Sequence, residues 1–248
     1  MVDSHDYSSL LKALEGDSIG LALLELSSVL TGRGDATGVG NALLDELATS
    51  VSDKTPRGLA DSLFGHDGLG GDVLNYHAEE NSLLDRVLER RLGMPITLSA
   101  VAIEVGRRIG LPLTMVAMPG HVVVGTGQPD RFIDAFGGVE LDEGGLRARF
   151  ESIFGANASP DSFVLQDLDP VGAVNRVCNN LLRTWKMDRT GKIDRLLELR
   201  VAIPGGVADR KLVQQVAEAR GRFDLVATMR EKTDPDDPQI RGLWARLN

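Results

Sequence analysis

Two residues in this chain have the types and spacing of a proton-transfer pair. His121 heads the apolar run HVVVG, and Asp134 lies near the end of RFIDAF. The Gly/Gln/Pro/Asp cluster between them reads as a turn. A hairpin turning at Gly127-Gln128 sets His121 directly opposite Asp134, where Cβ atoms stand about 4.5–5.5 Å apart. An imidazole N–H then reaches the carboxylate, which fixes the tautomer of a general base and stabilises its protonated form. A register slip of one residue would send the two side chains to opposite faces. A base also needs a nucleophile to serve. Cys178, the only cysteine, lies far along the chain beside Val174 and Leu181 on an apolar helix face, where core packing is its expected role. Thr97 and Ser99 carry the hydroxyls nearest the helix that precedes the hairpin, and each needs strong activation to attack.

Hydrophobic periodicity outlines the elements that must hold this pair. MPITLSAVAIEVGRRIG predicts a helix starting at Pro95, where a missing N–H costs nothing, and ending at Gly110. Glu104 is its only charge before Arg107, so the helix is expected to be buried on nearly every side. The positive end of a helix dipole lowers the pKa of a cysteine in the first turn. Here that turn reads Met94-Pro95-Ile96-Thr97, without a thiol. Leu83, Leu84, Val87, Leu88 and Leu92 predict a preceding helix from Ser82, with Asn81 as its N-cap and Gly93 as its stop. Residues 7 to 52 carry helical stripes through Leu10, Leu11 and Leu14, then Leu23, Leu26 and Leu30, with a loop over TGRGDATGVGN.

LTMVAM, HVVVG and RFIDAF predict antiparallel strands. From Pro170 the pattern is helical again, through Val174, Val177, Cys178, Leu181, Leu182 and Trp185. TGKIDRLLELRVAI, ADRKLVQQVAEARG and FDLVATMREKT follow, and a last helix begins after DPDDP. Short connectors between such helices imply antiparallel hairpins.

These motifs, taken in order, carry a resemblance. NSLLDRVLERRLGMPITLSAVAIEVGRRIGLPL, followed by PGH and FIDAFGG, resembles the SirB-type branch of the transglutaminase-like superfamily. AVNRVCNNLLRTWKMDRTGKIDRLLELRVAIPG resembles that branch's tetratricopeptide-like C-terminal region, and the resemblance covers roughly residues 60 to 205. In catalytic members a Gly-x-Cys opens the buried helix and a Gly-x-Pro closes it. Here GLP at 110 to 112 closes it and Pro95 takes the cysteine's place, as is typical of the SirB-type branch. His121 and Asp134 match the other two triad members.

The resemblance implies an α+β fold with a transglutaminase-like (papain-like) core over residues 59–165, built on a buried central helix and antiparallel strands. An N-terminal helical cap (1–58) and a C-terminal helical-hairpin region (166–248) flank it. The implied function is a non-catalytic protein- or peptide-binding or regulatory role. The alternative is a peptidase- or acyltransferase-type enzyme using a His121–Asp134 dyad with water or the hydroxyl of Thr97 or Ser99. No cofactor and no metal are expected, and the oligomeric state stays open.

Composition narrows the partners. A net charge of -9 and an aromatic content of 4% argue against nucleic acid, which wants a basic face and stacking surfaces. No apolar run approaches the ~18 residues of a membrane span. The start, MVDSHDYSS, lacks the basic segment and apolar run of a signal peptide, so a cytoplasmic location is expected. On that reading the Asn157-Ala158-Ser159 sequon and the Arg33-Gly34-Asp35 tripeptide are accidents. His66, Asp67, Asp72, His77, Glu79 and Glu80 match no familiar metal-ligand spacing.

Overall fold

The helix that begins at Pro95 organises the N-terminal part of the chain. In a computed structural model, which describes residues 6–185, 191–205 and 207–246, it is the sixth of twelve helices among the described residues. Residues 1–5 of the polar N-terminal stretch, and Thr190 at the head of TGKIDRLLELRVAI, lie outside the described residues. The chain divides into two units, Met1–Ala173 and Val174–Asn248.

The first unit runs α1 (Ser8–Leu14), α2 (Ile19–Thr31), α3 (Ala36–Ser50), α4 (Pro56–Phe64), β1 (Gly70–Gly71), α5 (Leu84–Arg90), β2 (Leu92–Gly93) and α6 (Pro95–Ile109). It continues through β3 (Thr114–Met118), β4 (His121–Gly125), β5 (Phe132–Asp134), β6 (Val139–Leu141), α7 (Glu143–Phe154) and β7 (Gln166–Leu168). The second unit contains most of α8 (Pro170–Trp185), then α9 (Lys192–Ala202), α10 (Val207–Ala219), α11 (Phe223–Thr233) and α12 (Gln239–Ala245). Among the described residues no helix is long and apolar enough to cross a membrane.

Every residue of α6 from Pro95 to Gly106 is buried, because α2, α3, α4 and β4 surround it. Its one interior charge is fully answered. Glu104 accepts from Ser18 Oγ (2.8 Å), Gly20 N (3.1 Å), Arg107 Nη2 (2.8 Å) and Arg108 Nη1 (3.1 Å), which fastens the start of α2 to α6. Arg108 also reaches Asp45 (2.6 Å) and Asn41 (2.8 Å) on α3. Buried charge is tolerated only when paired and hydrogen-bonded in this way. Gly110 closes the helix at φ 84°, the left-handed conformation that glycine adopts without penalty.

Three local expectations need correction. The glycine-rich segment TGRGDATGVGN is mostly helical, since α3 already starts at Ala36. Gly40 explains why: a Cβ there would stand 2.3 Å from Leu24 Cδ2, so the bare backbone lets α3 pack closely on α2. Asn81 is likewise no helix N-cap. It lies in a 3-10 turn, Glu79–Ser82, and α5 begins only at Leu84. The Asn81 side chain is fully buried, donating to Asn75 O (2.8 Å) and Tyr76 O (3.3 Å) and accepting from Arg90 Nη1 (3.0 Å). Arg91, at φ 58°, ends α5, and Gly93 belongs to β2.

The five-stranded antiparallel sheet has the order β6-β5-β4-β3-β7. β6 and β7, both very short, were not foreseen from the sequence. On one face of the sheet Val116, Met118 and Val123 pack with Leu146 and Phe150 of α7.

Candidate functional site

His121 and Asp134 meet, but by a different register from the one expected. β4 pairs Val124 with Ile133 and Gly125 with Phe132. Thr126 N–H bonds to Arg131 O (3.2 Å), so the turn is the four residues Gly127 to Asp130, with Asp130 at φ 54°. The turn centre is therefore one residue later than expected, and the pairing is displaced by two. A displacement of two preserves the face of every side chain, whereas a displacement of one would not. His121 and Asp134 become diagonal neighbours instead of opposed ones, still within reach of an imidazole. His121 Nε2 lies 2.9 Å from Asp134 Oδ1.

Alternation along β4 places His121 on the same sheet face as Val123, the face that α7 covers. The carboxylate is consequently gripped from α7 as well. Arg149 Nη2 donates to Asp134 Oδ2 at 2.6 Å, and the backbone N–H groups of Phe136 (3.1 Å) and Gly137 (3.2 Å) donate to Oδ1. Asp134 is 0% and His121 6% exposed. Burial alone would raise the Asp134 carboxyl. The hydrogen bond and charge of His121, the Arg149 guanidinium and the Gly137 N–H outweigh it and hold the group below the usual carboxylate range. An ionised acceptor at Nε2 favours a proton on that nitrogen. Nδ1 is then the atom that any proton exchange with a ligand would use.

Phe136 links this pair to the start of α6. Its ring meets His121 edge-on at 6.5 Å and Tyr76 at 5.7 Å, and Tyr76 stacks edge-on with His77 at 5.2 Å. The same ring lies against Gly71, where a Cβ would fall 2.5 Å from Phe136 Cε2. Gly71 pairs with Gly93, two residues before Pro95. An aromatic wall thus runs from the imidazole to the strand that enters α6. Val73 and Leu74, 75% and 93% exposed, stand on the loop beside it. That loop is clamped from below by Arg90, which bonds Asp72 Oδ2 (3.1 Å) as well as Asn81.

The other sequence-derived candidates are placed as follows. Pro95 is the first residue of α6 and is buried. Thr97 Oγ1 accepts Met94 N–H (3.2 Å) and donates to Asn81 O (2.8 Å), so its hydroxyl is engaged in holding the helix start. Ser99 is 0% exposed, and its Oγ has no hydrogen-bond partner among the described residues. Cys178 is fully buried in the second unit, and that burial pushes its thiol up to about 12. His66 and Asp67 contact each other at 3.0 Å on the open surface, with side chains 97% and 96% exposed. No group of three or more His, Cys, Asp or Glu poised to hold a metal occurs among the described residues.

Sequence reasoning missed Arg149 and Phe136. Arg149 sits in EGGLRARFESIF, where a double glycine blurs the helical pattern and nothing in the spacing points back to Asp134. Phe136 was visible only as one more apolar residue of the third strand.

A family model described as the transglutaminase-like superfamily matches residues 40–179. Two proteins of Xylella fastidiosa, from strains Temecula1 and 9a5c and each named UPF0162 protein, are similar to the chain. Each is 37% identical over 161 residues, covering 60% of this chain and 57% of the relative. The chain therefore spans little more than half the length of the curated relatives it matches. No solved structure matches it. The family match takes in more than half of the sequence, including α6, the His121 hairpin and α7, and the chain belongs to the transglutaminase-like superfamily.

Proposed function

We propose that this protein is a non-catalytic, SirB-type member of the superfamily that binds a protein or peptide partner. On this reading its C-terminal helices are a tetratricopeptide-like region. One observation carries the reading: Pro95 occupies the buried first turn of α6, where the family's nucleophile belongs. Proline supplies no attacking atom and no N–H for an oxyanion. The neighbouring hydroxyls do not replace it, since Thr97 is bonded to backbone and Ser99 is closed off from solvent. The aromatic wall of Phe136, Tyr76 and His77, with Val73 and Leu74 beside it, offers an apolar surface suited to a peptide. Purified protein is expected to neither hydrolyse nor transfer acyl groups from glutamine-containing peptides. Turnover that disappears in His121→Ala would overturn the proposal.

A second reading keeps one argument. Asp134 is held by four donors, so the His121–Asp134 pair is already oriented for proton transfer. It would serve a peptidase or acyltransferase using water, or the hydroxyl of Thr97 or Ser99. Acyl-phosphonate probes test the hydroxyl route. Covalent labelling at either residue supports it, and an unlabelled folded protein leaves only water.

A further inference from the structure

We infer that the C-terminal helical unit contains a binding site for a carboxylate carried on an apolar group, with Arg200 as its anion-binding residue. α9 turns Arg200 inward with Ile193, Leu196 and Leu197, leaving it 5% exposed. Its Nε and Nη1 are buried and have no hydrogen-bond partner among the described residues. A buried guanidinium without a counter-charge is among the costlier arrangements a fold can keep, and nearly all buried polar groups are bonded. Among the described residues, the acids of α9 and of the helices beside it are engaged by other groups. Asp194 is taken by Arg220 (3.1 Å), Glu198 and Asp224 by Arg222 (3.0 and 2.8 Å), and Asp209 accepts from Asn179.

The guanidinium stands against Gly205, where a Cβ would fall 3.6 Å from Nη2 and 3.7 Å from Nη1. Gly205 lines a groove of about 250 Å³, together with Arg200, Arg210, Lys232 and the apolar Ile203, Val213 and Met229. Among the described residues three cations and no acid line this groove, in a chain whose net charge is -9. Lys232 Nζ donates to Val201 O (2.8 Å), which keeps its ammonium at the end of α9 near the groove. A planar carboxylate suits a guanidinium, and an apolar substituent suits the remaining lining. The inference extends the binding role proposed above to a second place. It is read at Arg200 whatever His121 does, so the two readings fail separately.

The test is calorimetric titration of the full chain with N-acetylleucine, N-acetylleucinamide and hexanoate. N-acetylleucine should bind with a Kd of about millimolar or tighter, as its size permits, and the amide should not bind. Hexanoate binding as well as N-acetylleucine identifies a free acid as sufficient, and weaker hexanoate binding identifies a peptide chain end. Arg200→Met should weaken N-acetylleucine about 10-fold or more while leaving the ligand-free melting temperature unchanged or higher. Should that variant fail to fold, Arg210→Ala on the exposed rim should still weaken binding roughly 2- to 5-fold through its lost charge. Equal affinity for acid and amide, no binding of either, or undiminished binding in folded Arg200→Met overturns the inference.

Discussion

Replacing Pro95 with cysteine puts a thiol where the proposed function locates the superfamily's nucleophile, and the structure sets what that thiol should be. The new side chain would occupy the first residue of α6, a helix of fifteen residues whose amino end carries the positive pole of its dipole. The helix alone contributes about 1–2 kcal/mol to a thiolate there, or roughly one pKa unit below the ordinary value of ~8.5. His121 can add more. A thiolate and an imidazolium about 4 Å apart attract by ~4 kcal/mol at an effective dielectric near 20, up to roughly three further units before burial subtracts from it. The thiol of Pro95→Cys should therefore titrate below ~7, and in Pro95→Cys/His121→Ala at about 7.5. The fold should survive, because losing a first-turn proline costs only ~0.4–1 kcal/mol. The assay is the pH dependence of alkylation by iodoacetamide. Cys178 gives no background, being fully buried with its thiol pushed up to about 12. A thiol titrating near ~8.5, or one indifferent to His121→Ala, refutes the convergence of the α6 tip and the hairpin on which the family reading of the site depends.

Four further outcomes follow from the same structure. Arg149→Ala should destabilise the protein by about 1–2 kcal/mol in urea titration. That is less than a fully buried pair would lose, because the arginine is 37% exposed while Asp134 is 0%. Asp134 and Glu104 are both held below their ordinary pKa, so each contributes stability that is present above the unfolded value near ~4 and lost as pH falls through the folded value. The urea midpoint should drop steeply below about pH 4, and Asp134→Asn should flatten that limb; an unchanged slope contradicts the coupling. Gly20→Ala places a Cβ 2.2 Å from Glu104 Cγ and should cost about 1–3 kcal/mol. Gly38→Ala meets nothing within 4 Å on α3 and should stabilise by roughly 0.5–1 kcal/mol, with thermal melts reading both.

The sequence by itself determined the parts of this protein that follow from local periodicity. An apolar pattern on all sides made α6 a buried helix, Pro95 and Gly110 marked its ends, and three apolar runs became β3, β4 and β5. The facing of His121 and Asp134 was legible too, even though the expected register was off by two, because a period of two is blind to an even shift. What only the tertiary structure decided depends on where distant segments dock. Arg149 arrives on Asp134 from a helix that ordinary patterning barely announces. Thr97 loses its hydroxyl to the carbonyl of Asn81, whose own side chain is drawn into the Arg90 clamp instead of capping a helix. Arg200 shows the limit most plainly: its spacing on α9 predicts burial, yet whether a counter-charge meets it is settled by which neighbouring acids other arginines claim first. Periodicity fixes which way a side chain points, and packing alone fixes what it finds there.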